Sequence, residues 1–479
     1  MSDREDSRAA HRTARLPGRA DPLGLIDRPA VLALISEHLS EAWESFDRPR
    51  PTEPTLDPEL RERLAAPLPP DPGDAGAALD DATRVLEASV SPARPLFAAY
   101  IGSTGLEAGV LAGALGAAYD VNLAGSAGAA ELLEEQALRW MAEFVGYPLR
   151  QGVFTSGGMT SNLTALLAAR EQALPGARTT GVAGRAAAVY CSEEAHHSVV
   201  RAVEVAGLGA DSVRRIAIDD HRRMRVNVLA DALAADLRAG TVPVAVVATA
   251  GTTLTGAIDP LAEIADVCHA HGVWLHVDGA YGAPAAGVPS IAPRFAGLER
   301  ADSLTIDAHK WMGVQKSCSL VMLGREGALA TAFAHEEQYM IHTQDMANPV
   351  DNTLEYSRPV RSLKLWLAFR IYGAAAFREW IERTVAHARW LADAIEQRPA
   401  FELLHEPTLS TVCFRHLGGT DLERHNLELA LALQRDGRVY LAPAVIDGKT
   451  CIRVCFMNFR TRAEHVAELL RVVDELAAR

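Results

Sequence analysis

The chain has 479 residues with 49% hydrophobic and 23% charged side chains, enough apolar material for two or three packed domains and too much for a disordered polymer. A formal net charge of −14 argues against a broad electrostatic footprint for nucleic acid or an anionic membrane, which reward clustered Lys and Arg. The six cysteines form no Cys-x-x-Cys pair and no Cys/His group at zinc spacing, no metal site is expected, and no run of 18 apolar residues or apolar leader occurs, so a soluble cytoplasmic protein is the expectation.

In chain order, residues 1–24 read as a polar tail, followed by helical patterns over Pro29–Phe46 and Ala77–Ala88 on either side of a Pro-rich connection. Leu106–Ala118 is rich in Gly and Ala and reads as a helix packed closely against other backbone. From about Gly152 the chain alternates short apolar runs with amphipathic ones. Strands are expected at Ala186–Cys191, Ser212–Ile218, Val242–Gly251, Val273–Val277, Ser303–Ile306 and Ser317–Leu323, with helices such as Leu229–Ala239 and Leu261–His271 between them. That alternation implies an α/β protein with a mostly parallel central sheet covered on both faces. After Arg358 a long helical region to about Gln397, two strands ("STVCFRH", "CIRVCFMNF") and a last helix, Arg462–Ala478, suggest a small C-terminal α+β domain. The expected partition is a tail and helical N-terminal arm over 1–90, a large domain over 91–355 and a small one over 356–479.

Ligands of such sheets sit beyond the carboxyl ends of the strands, so what each strand ends in carries the chemistry. "VWLHV" runs into Asp278, which reads either as a turn-capping aspartate or as a buried carboxylate holding a cation. "SLTI" runs into Asp307, His309 and Lys310. A lone lysine after a strand is most often a solvated surface group. A lysine at a core strand's end, with an aspartate one β-α unit earlier, is instead the pair a pyridoxal phosphate site requires: an amine to take the cofactor and an acid to keep its ring nitrogen protonated. In "VFTSGGMTSNLTALLAAR" a Gly-Gly turn opens onto a helix, where the amides of Gly158 and Met159 and the Thr160 hydroxyl can meet a dianion, although such pairs also make ordinary turns. His196, ending "YCSEEAHH", is either a structural histidine or one that stacks on the cofactor or handles a proton; "ATAGTTLTG" adds Thr253 among several hydroxyls.

The motifs "FTSGG", "SEEAHHS", "TAGTT", "VDGAYG", "DAHKW" and "RSLKLW", in this order, resemble the group II pyridoxal-phosphate decarboxylases, the family that includes aromatic-L-amino-acid decarboxylase. The likeness runs from Arg94 to the "CIRVCF" strand. It implies the fold-type I transferase-like architecture, Lys310 as the cofactor-bearing lysine, Asp278 as partner of the ring nitrogen and His196 as the ring-stacking group. It places Gly158, Met159, Thr160 and His309 near the phosphate and gives Thr253 a supporting hydroxyl. Tyr339 falls where the family's mobile loop carries the tyrosine that protonates the α-carbon, and Phe97 and Tyr100 resemble its aromatic substrate pocket. The implied reaction is decarboxylation of an L-amino acid by a homodimer, an aromatic or otherwise apolar side chain being favoured, with glutamate, aspartate and diaminobutyrate left open. Aldehyde-forming, carbon–carbon lyase and aminotransferase reactions on the same fold, or a non-catalytic cofactor-binding protein, are the alternatives. Departures from the family pattern are "GSAGAAELLEEQ" (Gly125–Gln136), which lacks a proline and a threonine, Asp307 in place of Asn, and a shorter loop between Tyr339 and "RSLKLW".

Overall fold

The computed structural model describes residues 28–47, 57–125, 127–335 and 348–479. The described residues divide into two compact units, one holding residues 28–45 and 57–89 and the other holding the rest. The first holds α1 (Arg28–Phe46, but for its last residue), α2 (Pro58–Leu64) and α3 (Ala75–Glu87). Asp57 and Asp74 cap α2 and α3 by accepting from the backbone N–H of Leu60 and Ala77, and Arg63 pairs with Asp81 across the two helices at 2.5 Å.

The second unit is built on a seven-stranded sheet: β1 (Gln151–Thr155), β2 (Ala187–Ser192), β3 (Val213–Ile216), β4 (Val242–Thr249), β5 (Trp274–Asp278), β6 (Ser303–Ile306) and β7 (Ser319–Leu323), in the order β1-β7-β6-β5-β4-β2-β3. Only β7 runs against its neighbours, so the sheet is mostly parallel, as the alternating pattern predicts. Its strands are nearly continuous Val, Ala, Leu and Ile, because helices cover both faces. The helices are α4 (Glu107–Tyr119), α5 (Ala129–Val145), α6 (Gly158–Ala173), α7 (Ala177–Thr180), α8 (His197–Val205), α9 (Val226–Arg238), α10 (Leu261–His271) and α11 (Ala328–Phe333).

The C-terminal part begins with α12 (Ser362–Glu396), which breaks at Gly373, where φ is 69° and only glycine adopts the conformation without steric cost. Beyond it β8 (Phe401–Leu403), β9 (Thr411–His416), β10 (Ala442–Ile446) and β11 (Lys449–Cys455) form an antiparallel sheet, order β10-β11-β9-β8, backed by α13 (Leu422–Asp436) and α14 (Ala463–Ala477). The sequence pattern finds β9 and β11 but not the two edge strands. β8 is three residues long and β10 contains Pro443, which an edge strand tolerates and a strand pattern does not reveal. Likewise the expected strand Ser212–Ile218 is shorter, because Ala210–Ser212 forms a 3₁₀ turn before it.

Candidate active site

Four parallel strands end on one cleft of about 120 Å³, whose lining includes His196 from the end of β2, Thr249 and Thr253 from the end of β4, Asp278 from β5, and Asp307 and Lys310 beyond β6. The first turn of α6 supplies Gly158 and Met159, and Asn162 one turn further on. The sequence-predicted Lys310, Asp278, His196, Gly158, Met159 and Thr253 therefore meet in one place, although 152 positions separate Gly158 from Lys310.

Beyond β6 the chain turns at once. The Lys310 N–H donates to the Asp307 carbonyl at 2.9 Å, and the Asp307 N–H to the Ala280 carbonyl at 3.1 Å, stitching this turn to the one after β5. Lys310 Nζ lies 2.9 Å from Asp307 Oδ2, whose other oxygen is buried with no hydrogen-bond partner among the described residues. His309 stands 3.7 Å from the same carboxylate and packs its ring against the Cys318 carbonyl at 2.9 Å. Burial lowers the His309 pKa against the opposing pull of Asp307.

Asp278 is buried. Its Oδ1 accepts from the Ala280 N–H at 3.1 Å and its Oδ2 from Asn162 Nδ2 at 2.9 Å. The Asn162 side chain also touches Ser198 Oγ at 3.1 Å and His276 Nε2 at 3.1 Å. His276 is wholly enclosed, and burial drops its pKa to about 4 despite the nearby Asp278. His196 forms the N-cap of α8, its Nδ1 accepting from the Ser198 N–H at 3.1 Å, and its ring is exposed to the cleft.

Thr160 and His309 are adjacent to the cleft rather than in its lining, and the Thr160 hydroxyl bonds to Ser156 Oγ at 2.9 Å. Phe97 stacks on Tyr440 with ring centroids 5.1 Å apart, while Tyr100 is 55% exposed; neither lines the cleft of this chain. Tyr339 lies outside the described residues. Asn162, Ser198 and Tyr281 were not singled out by sequence reasoning. The signal for the first was its place one helical turn below Gly158, and for the second its place two residues after His196. Tyr281 is buried, stacked 5.0 Å from Trp311 and bonded to Ser410 Oγ at 2.6 Å.

A phosphorylated pyridinium aldehyde fits these residues. An acid faces the cleft from one strand end and an amine from the next, and α6 starts at Gly157 without a side-chain cap, leaving its first-turn N–H groups open to an anion. A Cβ at Gly158 would stand 2.8 Å from Asp307 Oδ2, so this position keeps backbone close to the cleft. Fold and site together define a pyridoxal-phosphate enzyme of the fold-type I kind.

The conserved domain of the pyridoxal-dependent decarboxylases matches residues 58–417. The chain is 32% identical over 458 residues to an aromatic-L-amino-acid decarboxylase of Bacillus atrophaeus, covering 93% of each. It is 35% identical over 356 residues to an L-2,4-diaminobutyrate decarboxylase of Rhizobium meliloti, covering 73% of this chain and 70% of the relative. Among solved structures it is similar to Oryza sativa TDC with PLP and tryptamine, with a TM-score of 0.90 and 26% identity, covering 96% and 99% of the two chains. The chain belongs to the pyridoxal-dependent decarboxylase family; it is an amino-acid carboxy-lyase whose cofactor is pyridoxal 5′-phosphate.

Proposed function

We propose that the protein decarboxylates an L-amino acid with an aromatic or otherwise apolar side chain, releasing the amine and carbon dioxide. The observation that carries the substrate class is the charge of the cleft: among the described lining residues Lys310 is the sole lysine or arginine, and it is already paired with Asp307. A substrate side chain bearing a second carboxylate would meet no free cation there, whereas Met159, Ala280 and Tyr281 offer apolar surface. The 32% identity to a relative named for aromatic L-amino acids supports the same reading.

In this reading Lys310 would hold the cofactor through its Nζ. Asp278, fixed by two N–H donors, keeps a proton on the ring nitrogen. Bound pyridoxal phosphate supplies the electron-accepting ring that takes up the pair left when the carboxylate departs. His196 would cover one face of the cofactor ring, and the N-terminus of α6, with Gly158, Met159 and Thr160, would receive the phosphate beside His309, with the Thr253 hydroxyl in support. Tyr339 returns a proton to the α-carbon.

We place Phe97 and Tyr100 at the substrate side of a site completed by a second copy, and assign the large cofactor-binding role to 91–355, the small domain to 356–479 and the arm to 1–90. A homodimer is supported by the outer stripe of α4, where Leu111, Leu115 and Tyr119 are 47%, 52% and 79% exposed at four-residue spacing. A reducing cytoplasm suits six cysteines that are all free and buried. No helix among the described residues is long and apolar enough to cross a membrane.

One observation favours a second reading, a substrate with an acidic side chain. Arg453 is buried, donates to the carbonyls of Ala99 and of Leu254, the residue after Thr253, at 2.8 and 3.3 Å, and its Nη2 has no hydrogen-bond partner among the described residues.

The test is a screen of cofactor-loaded protein against aromatic, branched, acidic and diamino L-amino acids, recording carbon dioxide and mass-identified products, with Lys310→Ala as control. Amine and carbon dioxide from aromatic substrates, absent in the control, are the expected result. Turnover confined to acidic substrates selects the second reading, and aldehyde or keto acid in place of amine overturns the reaction given to Tyr339.

A further inference from the structure

Asn162 is 1% exposed and uses all of its side-chain polar atoms within the fold. Along one face of β5, residues Trp274, His276 and Asp278 follow each other at the two-residue period of a strand, and Ser303 of β6 pairs with His276. The four side chains and Asn162 form one buried file. Trp274 Nε1 lies 2.8 Å from Ser303 Oγ, Ser303 Oγ 2.8 Å from His276 Nδ1, His276 Nε2 3.1 Å from Asn162 Oδ1, and Asn162 Nδ2 2.9 Å from Asp278 Oδ2.

The ends of this file fix its direction. An indole N–H can only donate and an ionised carboxylate can only accept. Ser303 Oγ therefore accepts from Trp274 and donates to His276 Nδ1, and the neutral His276 carries its proton on Nε2, which donates to Asn162 Oδ1. The Asn162 amide is thereby turned so that Nδ2 faces Asp278. Its second N–H points to Ser198 Oγ at 3.1 Å, leaving that hydroxyl to donate to His196 Nδ1 at 2.8 Å. Since Nδ1 also accepts from the Ser198 N–H, the neutral His196 ring keeps its proton on Nε2.

We infer that Asn162 is a positioning residue that orients, through one amide, both the acid at the cofactor's ring nitrogen and the histidine over its face, with its own orientation set from beneath the sheet by the Trp274–Ser303–His276 file. The inference rests on the roles given above to Asp278 and His196. A core of the same volume could be filled with apolar side chains. A buried polar file that is satisfied at every member instead holds a single arrangement, because any reversal leaves two acceptors or two donors facing each other without water. Here the reversal would set Asn162 Oδ1 against the Asp278 carboxylate.

The experiment compares Asn162→Ala, Ser303→Ala, Ser303→Thr and Asp278→Ala, each reconstituted with pyridoxal phosphate, by cofactor dissociation constant and by the visible absorption spectrum of the bound cofactor. Asn162→Ala is expected to weaken cofactor binding roughly 10- to 100-fold, the range found for outer-shell partners of metal ligands, and to displace the visible band. Ser303→Ala, which removes nothing from the cleft, is expected to displace the band in the same direction, and Ser303→Thr, which keeps the hydroxyl, to restore it. Wild-type affinity and spectrum in Asn162→Ala and Ser303→Ala, with Asp278→Ala impaired, overturn the inference while leaving the site intact. Asp278→Ala that binds and absorbs like wild type overturns the site reading itself, and this inference with it. Where Asn162→Ala does not fold, the Ser303→Ala and Ser303→Thr pair decides.

Discussion

At the scale of single residues, the burial of His276 makes a measurable demand on pH. Its folded pKa is about 4 against an ordinary 6.5, so between these values the unfolded chain binds a proton that the folded chain refuses. The stability this group contributes is fully present above about pH 6.5 and is lost as pH falls towards about 4, a total of about 3 kcal/mol. Urea unfolding of wild type and His276→Gln at about pH 7 and about pH 5 tests it. The variant should lose less stability on acidification than wild type, and equal losses would show that another group is responsible. Much at this scale was legible in the sequence: Lys310 and Asp278 stand out because charged residues ending apolar strands need a reason. Asn162 did not, since an asparagine in the second turn of a helix is unremarkable until the fold brings Asp278, 116 positions away, to within hydrogen-bond reach.

At the scale of elements, α5 is tied to the segment leading into α12 by a buried ion pair. Arg358 Nη1 and Nη2 meet Glu134 Oε2 and Oε1 at 2.8 and 2.7 Å, with the two side chains 3% and 8% exposed. Removing one partner strands the other charge in the interior. Arg358→Met should cost about 3–5 kcal/mol, whereas Arg358→Met with Glu134→Leu should recover most of that loss. Thermal or denaturant unfolding of the single and double variants checks both. Equal stability of single variant and wild type would mean that Glu134 finds water. Glu134 lies in the Gly125–Gln136 segment whose sequence departs from the family pattern, and no periodicity could announce the pair, because its members sit 224 positions apart. The strand order is similar. Hydrophobic runs predict that β4, β5 and β6 exist, but that β7 inserts antiparallel between β1 and β6 depends on the whole sheet.

For the whole molecule, the exposed Leu111, Leu115 and Tyr119 on α4 make the proposed dimer testable. Leu115→Asp is expected to shift the protein towards monomer in light scattering and to lower activity in step with dissociation. A variant that stays dimeric would remove α4 from the interface. The sequence by itself determined the class of fold and the cofactor, and singled out the two residues proposed to engage it, because strand and helix periodicities and strand-end chemistry are local properties written within a few residues. Only the tertiary structure decided how those residues are held: the Asp307 contact to Lys310, the Asn162 amide between Asp278 and His196, and the polar file behind it. Such contacts join distant segments, and their energy comes from excluding water around groups that are satisfied only when every partner has arrived.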